Sequence, residues 1–147
     1  MITEDGPKVI EYNCRFGDPE AQVVLPRMEN DLIDVIEACI DGTLDEIDLS
    51  FRREPCVCVV LASGGYPSSY EKGKEIHGLG AFDGKKDCFC FHAGTAEKDG
   101  KIVTNGGRVL GITAVGNDLE DARRKAYEAA GWVDFEGKYY RHDIALW

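Results

Sequence analysis

The chain has 147 residues, 44% of them hydrophobic and 30% charged, and 17 Lys and Arg against 27 Asp and Glu give a net charge of −10. That size and composition predict one ordinary domain or two small lobes around a normal core, and exclude a disordered tail. The negative balance argues against nucleic acid as a partner, and no run approaches the roughly 20 apolar residues of a membrane span. The opening MITEDGPK lacks the basic, apolar and small-residue succession of a signal peptide, so the sequence predicts a soluble, cytoplasmic protein.

Residues 1 to 13 predict a hairpin: MIT is a short apolar stub, EDGP carries the Asp5-Gly6 turn signal, and KVIEYN is a strand. So short a first strand is a poor partner for the second, which predicts that the chain starts inside a strand of a longer protein. In VIEYNCR, strand alternation puts Glu11, Asn13 and Arg15 on one face and the apolar Ile10, Tyr12 and Cys14 on the other. Glu and Asn offer hard oxygen ligands suited to Mg²⁺, and the planar fork of Arg15 suits a phosphate or carboxylate. The turn FGDPE then adds Asp18 and Glu20. A merely polar strand face is the bland reading of E-x-N-x-R; the acid-rich turn attached to it favours a Mg²⁺–phosphate site.

Further along, Glu20 to Met28 and Asn30 to Cys39 predict helices, the second with Leu32, Ile33, Ile36 and Ile40 at helical spacing, Asn30 or Asp31 as cap and Gly42 as stop. TLDEIDLSFRREP is a polar connection, and a division near Leu49 separates residues 1–48 from 49–147. The second lobe predicts a buried strand CVCVVLAS ending in the turn GGYP, short strands in EIHGL, CFCFHAGT, KIVTN and RVLGITAVG, and a hairpin tip at Asp99-Gly100. A helix over DLEDARRKAYEAAG follows, capped by Asp118 with Asp121 and stopped by Gly131, with Ala122, Ala126, Ala129 and Ala130 as its packed face. KYYRHDIALW is a candidate closing strand, and Trp132 and Trp147 are expected to pack the end of this lobe. The fold class is therefore α+β. The C-x-C pairs Cys56/Cys58 and Cys88/Cys90 lack the C-x-x-C spacing of zinc and redox motifs and are read, strand by strand, as reduced, buried thiols sharing one face.

KVIEYNCRFGDPEAQVVLPRM closely resembles the signature of the phosphoribosylamine–glycine ligase (glycinamide ribonucleotide synthetase) family, and GGYP, HAGT and TNGGRVL follow in that family's order. The resemblance runs over essentially the whole chain but over only the C-terminal third of the family's length, with the N-terminal and central parts of the enzyme as missing partners. It implies the C-terminal part of an ATP-grasp domain followed by a small, mainly β domain like a barrel-sandwich hybrid. The implied reaction joins glycine to 5-phosphoribosylamine with ATP, through an acyl phosphate on glycine, and releases ADP and phosphate. Carried onto this sequence, Glu11 and Asn13 are ligands of Mg²⁺ or Mn²⁺, Arg15 neutralises phosphate or carboxylate charge, and Asp18 and Glu20 shape the substrate side.

The turn Asn105, Gly106, Gly107 and Arg108 has two readings of equal standing: a hairpin needing glycines, or a lobe-closing turn that leans toward the substrate pocket. His92 is read as a satisfied structural histidine, His77 and His142 as structural or exposed, and GGYP as a turn lacking the phosphate-loop pattern. The implied hybrid fold also raises a biotinyl- or lipoyl-carrier module, whose lysine sits at a hairpin tip among apolar residues. Lys98 and Lys101 lie in the polar EKDGK, so a carrier or a purely structural domain stands as the alternative to a ligase whose present portion is inactive alone.

Overall fold

The computed structural model describes residues 1–12 and 14–146. Its centre is an antiparallel sheet in the order β4-β7-β3-β8, formed by β3 (Cys56–Ser63), β4 (Cys88–His92), β7 (Arg108–Val115) and β8 (Lys138–Tyr139). Strand β3 coincides with the predicted CVCVVLAS. Apolar residues on alternate positions put Val57, Val59 and Leu61 on one face, opposite Ala114, Ile112 and Leu110 of β7. Helix α3 (Leu119–Ala130) closes that face. Its contact surface is Ala122, Ala126, Ala129 and Ala130, all fully buried, and so small a face lets the helix axis lie close to the sheet. The helix starts as its sequence predicts: the Asp118 carboxylate accepts from the Asp121 amide at 2.8 Å, while Asp121 accepts from the Asn117 amide at 3.0 Å.

The hairpin of β5 (Thr95–Lys98) and β6 (Lys101–Thr104) turns at Asp99-Gly100, both at positive φ, as that dipeptide predicts. The predicted strand EIHGL is reduced to bridges: Glu75 pairs Val103 and His77 pairs Asp134, with no continuous ladder. KYYRHDIALW contributes only β8, because Tyr140, His142 and Ile144 turn onto α3, where Arg123 donates to the carbonyls of His142 and Ile144. Trp132 packs on Phe82 at a ring distance of 5.3 Å, while Trp147 lies outside the described residues.

In the N-terminal part, β1 (Ile2–Thr3) and β2 (Gly6–Pro7) form a short hairpin whose turn is Glu4-Asp5, one residue earlier than expected, with Gly6 at φ 94° closing it. The strand expected over KVIEYN does not form among the described residues. Ladder hydrogen bonding ends with the Lys8 amide on the Met1 carbonyl, and Ile10 and Tyr12, expected on a core face, are 72% and 82% exposed. Alternation makes a strand only where a neighbouring strand offers a ladder.

Helix α1 (Ala21–Val24) runs into a 3-10 turn over Leu25–Arg27, and helix α2 (Leu32–Asp41) carries the predicted signals. Asp31 caps α2 by accepting from Ile33 N, and Gly42 ends it at φ 74°. Of its apolar residues, Ile33, Ile36 and Ile40 are exposed, and within the helix only Ala38 is buried. Among the described residues no helix is long and apolar enough to cross a membrane.

All six cysteines are free thiols. The register sends the pairs to opposite faces: Cys88 opposes Ala114 on the α3 side, whereas Cys58 opposes Thr113 on the α1 side. Each pair shares a face as expected, though only Cys88 is buried and the other three are half-buried. Burial pushes the thiols of Cys56 and Cys90 up to about 11 and raises those of Cys58 and Cys88. Burial both shields these four thiols and disfavours their thiolates, so a disulfide reagent near pH 8 should label the exposed Cys14 and Cys39 fast and the four strand cysteines only after denaturation. Mass-mapped labelling of native protein checks this, and fast labelling of Cys56 or Cys90 would contradict it.

Candidate functional site at the end of the sheet

Motifs far apart in the chain converge where β3 ends and β7 begins. The Ser63 amide donates to the Gly107 carbonyl and its hydroxyl to the Gly106 carbonyl, each at 2.8 Å. On the other side, the Gly94 amide donates to Arg108 O at 2.8 Å and the Asn105 amide to Gly94 O at 2.7 Å. The turn Asn105–Arg108 is thus pinned between GGYP and HAGT. The glycines where these turns meet are required by contact, not by φ. A methyl group built on Gly94 would stand 2.6 Å from both the Arg108 carbonyl oxygen and Gly106 Cα. One built on Gly107 would meet the Tyr66 ring, with Tyr70 at 3.0 Å.

Arg108 leaves this turn and reaches the GDPE loop, 90 residues away in sequence. Its Nη1 donates to the backbone carbonyl of Asp18 at 2.9 Å and its Nη2 to Asp18 Oδ2 at 3.0 Å. The second carboxylate oxygen of Asp18 accepts from Gln22 Nε2 at 3.0 Å, so helix α1 and strand β7 grip one side chain from two directions. Beside the pair opens a cleft of about 450 Å³, lined by residues that include Pro19, Cys58, Val60, Tyr66 and Tyr140. Arg108 and Arg141 supply its guanidinium groups, the latter held by Asp143 at 2.8 and 2.6 Å. Apolar and aromatic walls of this kind suit a ligand with an apolar or planar body.

The remaining candidates are less tightly gathered. Glu20 is the residue before α1 and its carboxylate folds against Gly17. Arg15 is exposed, with Nη1 donating to Phe16 O at 3.2 Å. Glu11 is exposed on the extended segment after β2, and Asn13 lies outside the described residues. Among the described residues no group of three or more His, Cys, Asp and Glu forms a metal cluster. His92 is exposed, its Nδ1 lying 3.1 Å from Thr95 Oγ1. At the hairpin tip, Lys101 pairs with Glu75 at 2.7 Å. Ser63, Tyr66, Tyr70 and Gln22 were not singled out from sequence, because their roles exist only once the turns meet. The G-G-Y-P dipeptide pairs signalled a turn and nothing about which glycine the Tyr66 ring would cover.

Comparison with known proteins agrees with this division of motifs. The family profile described as phosphoribosylglycinamide synthetase, C domain, matches residues 56–147, and that of the ATP-grasp (A) domain of the same enzyme matches residues 1–21. The chain is 50% identical over 145 residues to the phosphoribosylamine–glycine ligase of Caldanaerobacter subterraneus, covering 99% of this chain and 34% of that protein. To the enzyme of the same name from Synechocystis it is 52% identical over 146 residues, covering 98% and 35%. The crystal structure of phosphoribosylamine–glycine ligase from Thermotoga maritima superposes with a TM-score of 0.75 at 42% identity, covering 98% of this chain and 35% of that one. The fold is that of a mixed α/β C-terminal domain joined to a short ATP-grasp segment. The chain belongs to the phosphoribosylglycinamide synthetase family, and it spans about a third of the length of the curated relatives it matches.

The close contact of the two glycine turns makes a direct prediction. Gly94→Ala, at a position without positive φ, should cost about 1–3 kcal/mol through overpacking, lowering the urea midpoint with an unchanged slope. An unaltered midpoint would mean that the turns do not touch.

Proposed function

We propose that this chain forms the C-terminal part of an ATP-dependent carbon–nitrogen ligase that joins glycine to 5-phosphoribosylamine in purine biosynthesis, in the cytoplasm. The observation that carries the reading is the grip of Arg108, in the segment matching the C domain, on Asp18, in the segment matching the ATP-grasp domain. In the proposed reaction the glycine carboxylate takes the γ-phosphoryl group of ATP, releasing ADP. The amine of phosphoribosylamine then attacks the glycyl carbonyl, loses a proton, and expels phosphate to leave glycinamide ribonucleotide. Such phosphoryl transfer depends on holding charge and geometry.

Residue roles follow from chemistry. An exposed carboxylate at Glu11 and the carboxamide of Asn13 are hard oxygen donors that fit Mg²⁺ or Mn²⁺, a cation that keeps its other positions for water and substrate phosphates. Bound there, the metal supplies positive charge to the phosphoryl oxygens. Arg15 pairs with phosphate or carboxylate, and Asp18 and Glu20 shape the substrate side. The Asn105–Arg108 turn closes over that side from the second lobe. We divide the lobes near Leu49, and read the second as a barrel-sandwich hybrid in which Gly73–Ile76 hydrogen-bonds to β6 as a second layer. The exposed stripe Ile33, Ile36 and Ile40 supports a longer enzyme, since an apolar helix face of this length is normally covered.

The test is glycine-dependent ADP release with phosphoribosylamine and Mg²⁺. The ligase carrying the chain at full length should turn over, and the 147-residue chain alone should not. In the full-length enzyme Glu11→Ala should lose more kcat/KM than the roughly 10–100-fold of a residue that only supports a metal ligand. Robust turnover by the short chain, or near-normal turnover by the variant, would overturn the corresponding assignment.

A further inference from the structure

Arg108 is better placed to hold the GDPE loop than to wait for a ligand. Its own backbone is immobilised: Arg108 O accepts from Gly94 N, the preceding carbonyl accepts from Ser63 N, and Gly107 lies under the Tyr66 ring. From that fixed base the planar guanidinium contacts a backbone oxygen and a carboxylate oxygen of the same residue, which sets both the path of the chain at Asp18 and the direction of its side chain. Gln22 fixes the second carboxylate oxygen. The partners are 41% and 50% exposed, and a pair so exposed contributes little to stability, so its consequence is geometric.

We propose that Arg108 is a positioning residue. It acts through Asp18 to hold the Gly17–Glu20 loop, and with it the adjoining Arg15, in one geometry at the end of the sheet. The purpose of that geometry rests on the ligase reading; the latch itself does not. Lysine, a point charge on a flexible stem, does not reproduce a fork that spans two acceptors.

Two measurements test this. In the 147-residue chain, amide hydrogen exchange at Ala21, Val23 and Val24 should quicken by about tenfold in Arg108→Gln and in Asp18→Asn, and no further in the double variant, while β3 and β7 stay protected. Additive effects, or unchanged exchange, would overturn the latch. In the full-length ligase, Arg108→Gln should lower kcat by about tenfold or more with each KM within about twofold, and Arg108→Lys should recover only part of the loss. A change confined to the KM of one substrate would make Arg108 a binding residue and overturn the proposal. A wild-type full-length protein without glycine-dependent turnover would remove the ligase reading, and the exchange result would then uphold or overturn the latch by itself.

Discussion

The closeness of two backbones, at Gly94 and Gly106, is the constraint on which the rest of this site depends. With no side chain at either position the β4–β5 connection and the turn before β7 can touch, and each exchanges hydrogen bonds with the other. That contact fixes where β7 begins, and therefore where Arg108 stands. Larger residues would force the turns apart and carry the guanidinium away from Asp18.

From this point the architecture divides its labour. The face of the sheet under α3 is a conventional core, with Val59, Leu61, Leu110 and Ile112 fully buried beneath alanines, and its burial is what makes the strands rigid. On the other face Cys56, Cys58 and Val60 of β3 are half-buried, and a cleft opens there beside the Arg108–Asp18 pair. That cleft is lined by Tyr66, Tyr139 and Tyr140 together with Arg108 and Arg141. A rigid sheet holding turns and loops at its end is a common way to gain precision without building every functional residue into a strand.

Local signals were legible because they need no distant partner. Asp31 and Gly42 bound α2, Asp118 and Asp121 cap α3, Asp99-Gly100 turns a hairpin, and eight apolar-rich residues make β3. Alternation predicted a strand that does not form over Lys8 to Tyr12, because period two describes a potential face, and a strand exists only beside another. The helical spacing of Ile33, Ile36 and Ile40 likewise marked a sticky face without saying what covers it. For the site, the sequence motifs identified Asp18 and Arg108 separately. Their pairing across 90 residues is a property of topology, and no periodicity or spacing encodes it.

Separate glycine turns meet at one end of the sheet and aim Arg108. Solution NMR of the 147-residue chain reads this directly through nuclear Overhauser contacts. Strong contacts between the α-protons of Gly94 and Gly106, and between the Tyr66 ring and the Gly107 α-protons, are the predicted result. Their absence in a protein whose β3–β7 cross-strand contacts are intact would contradict the account.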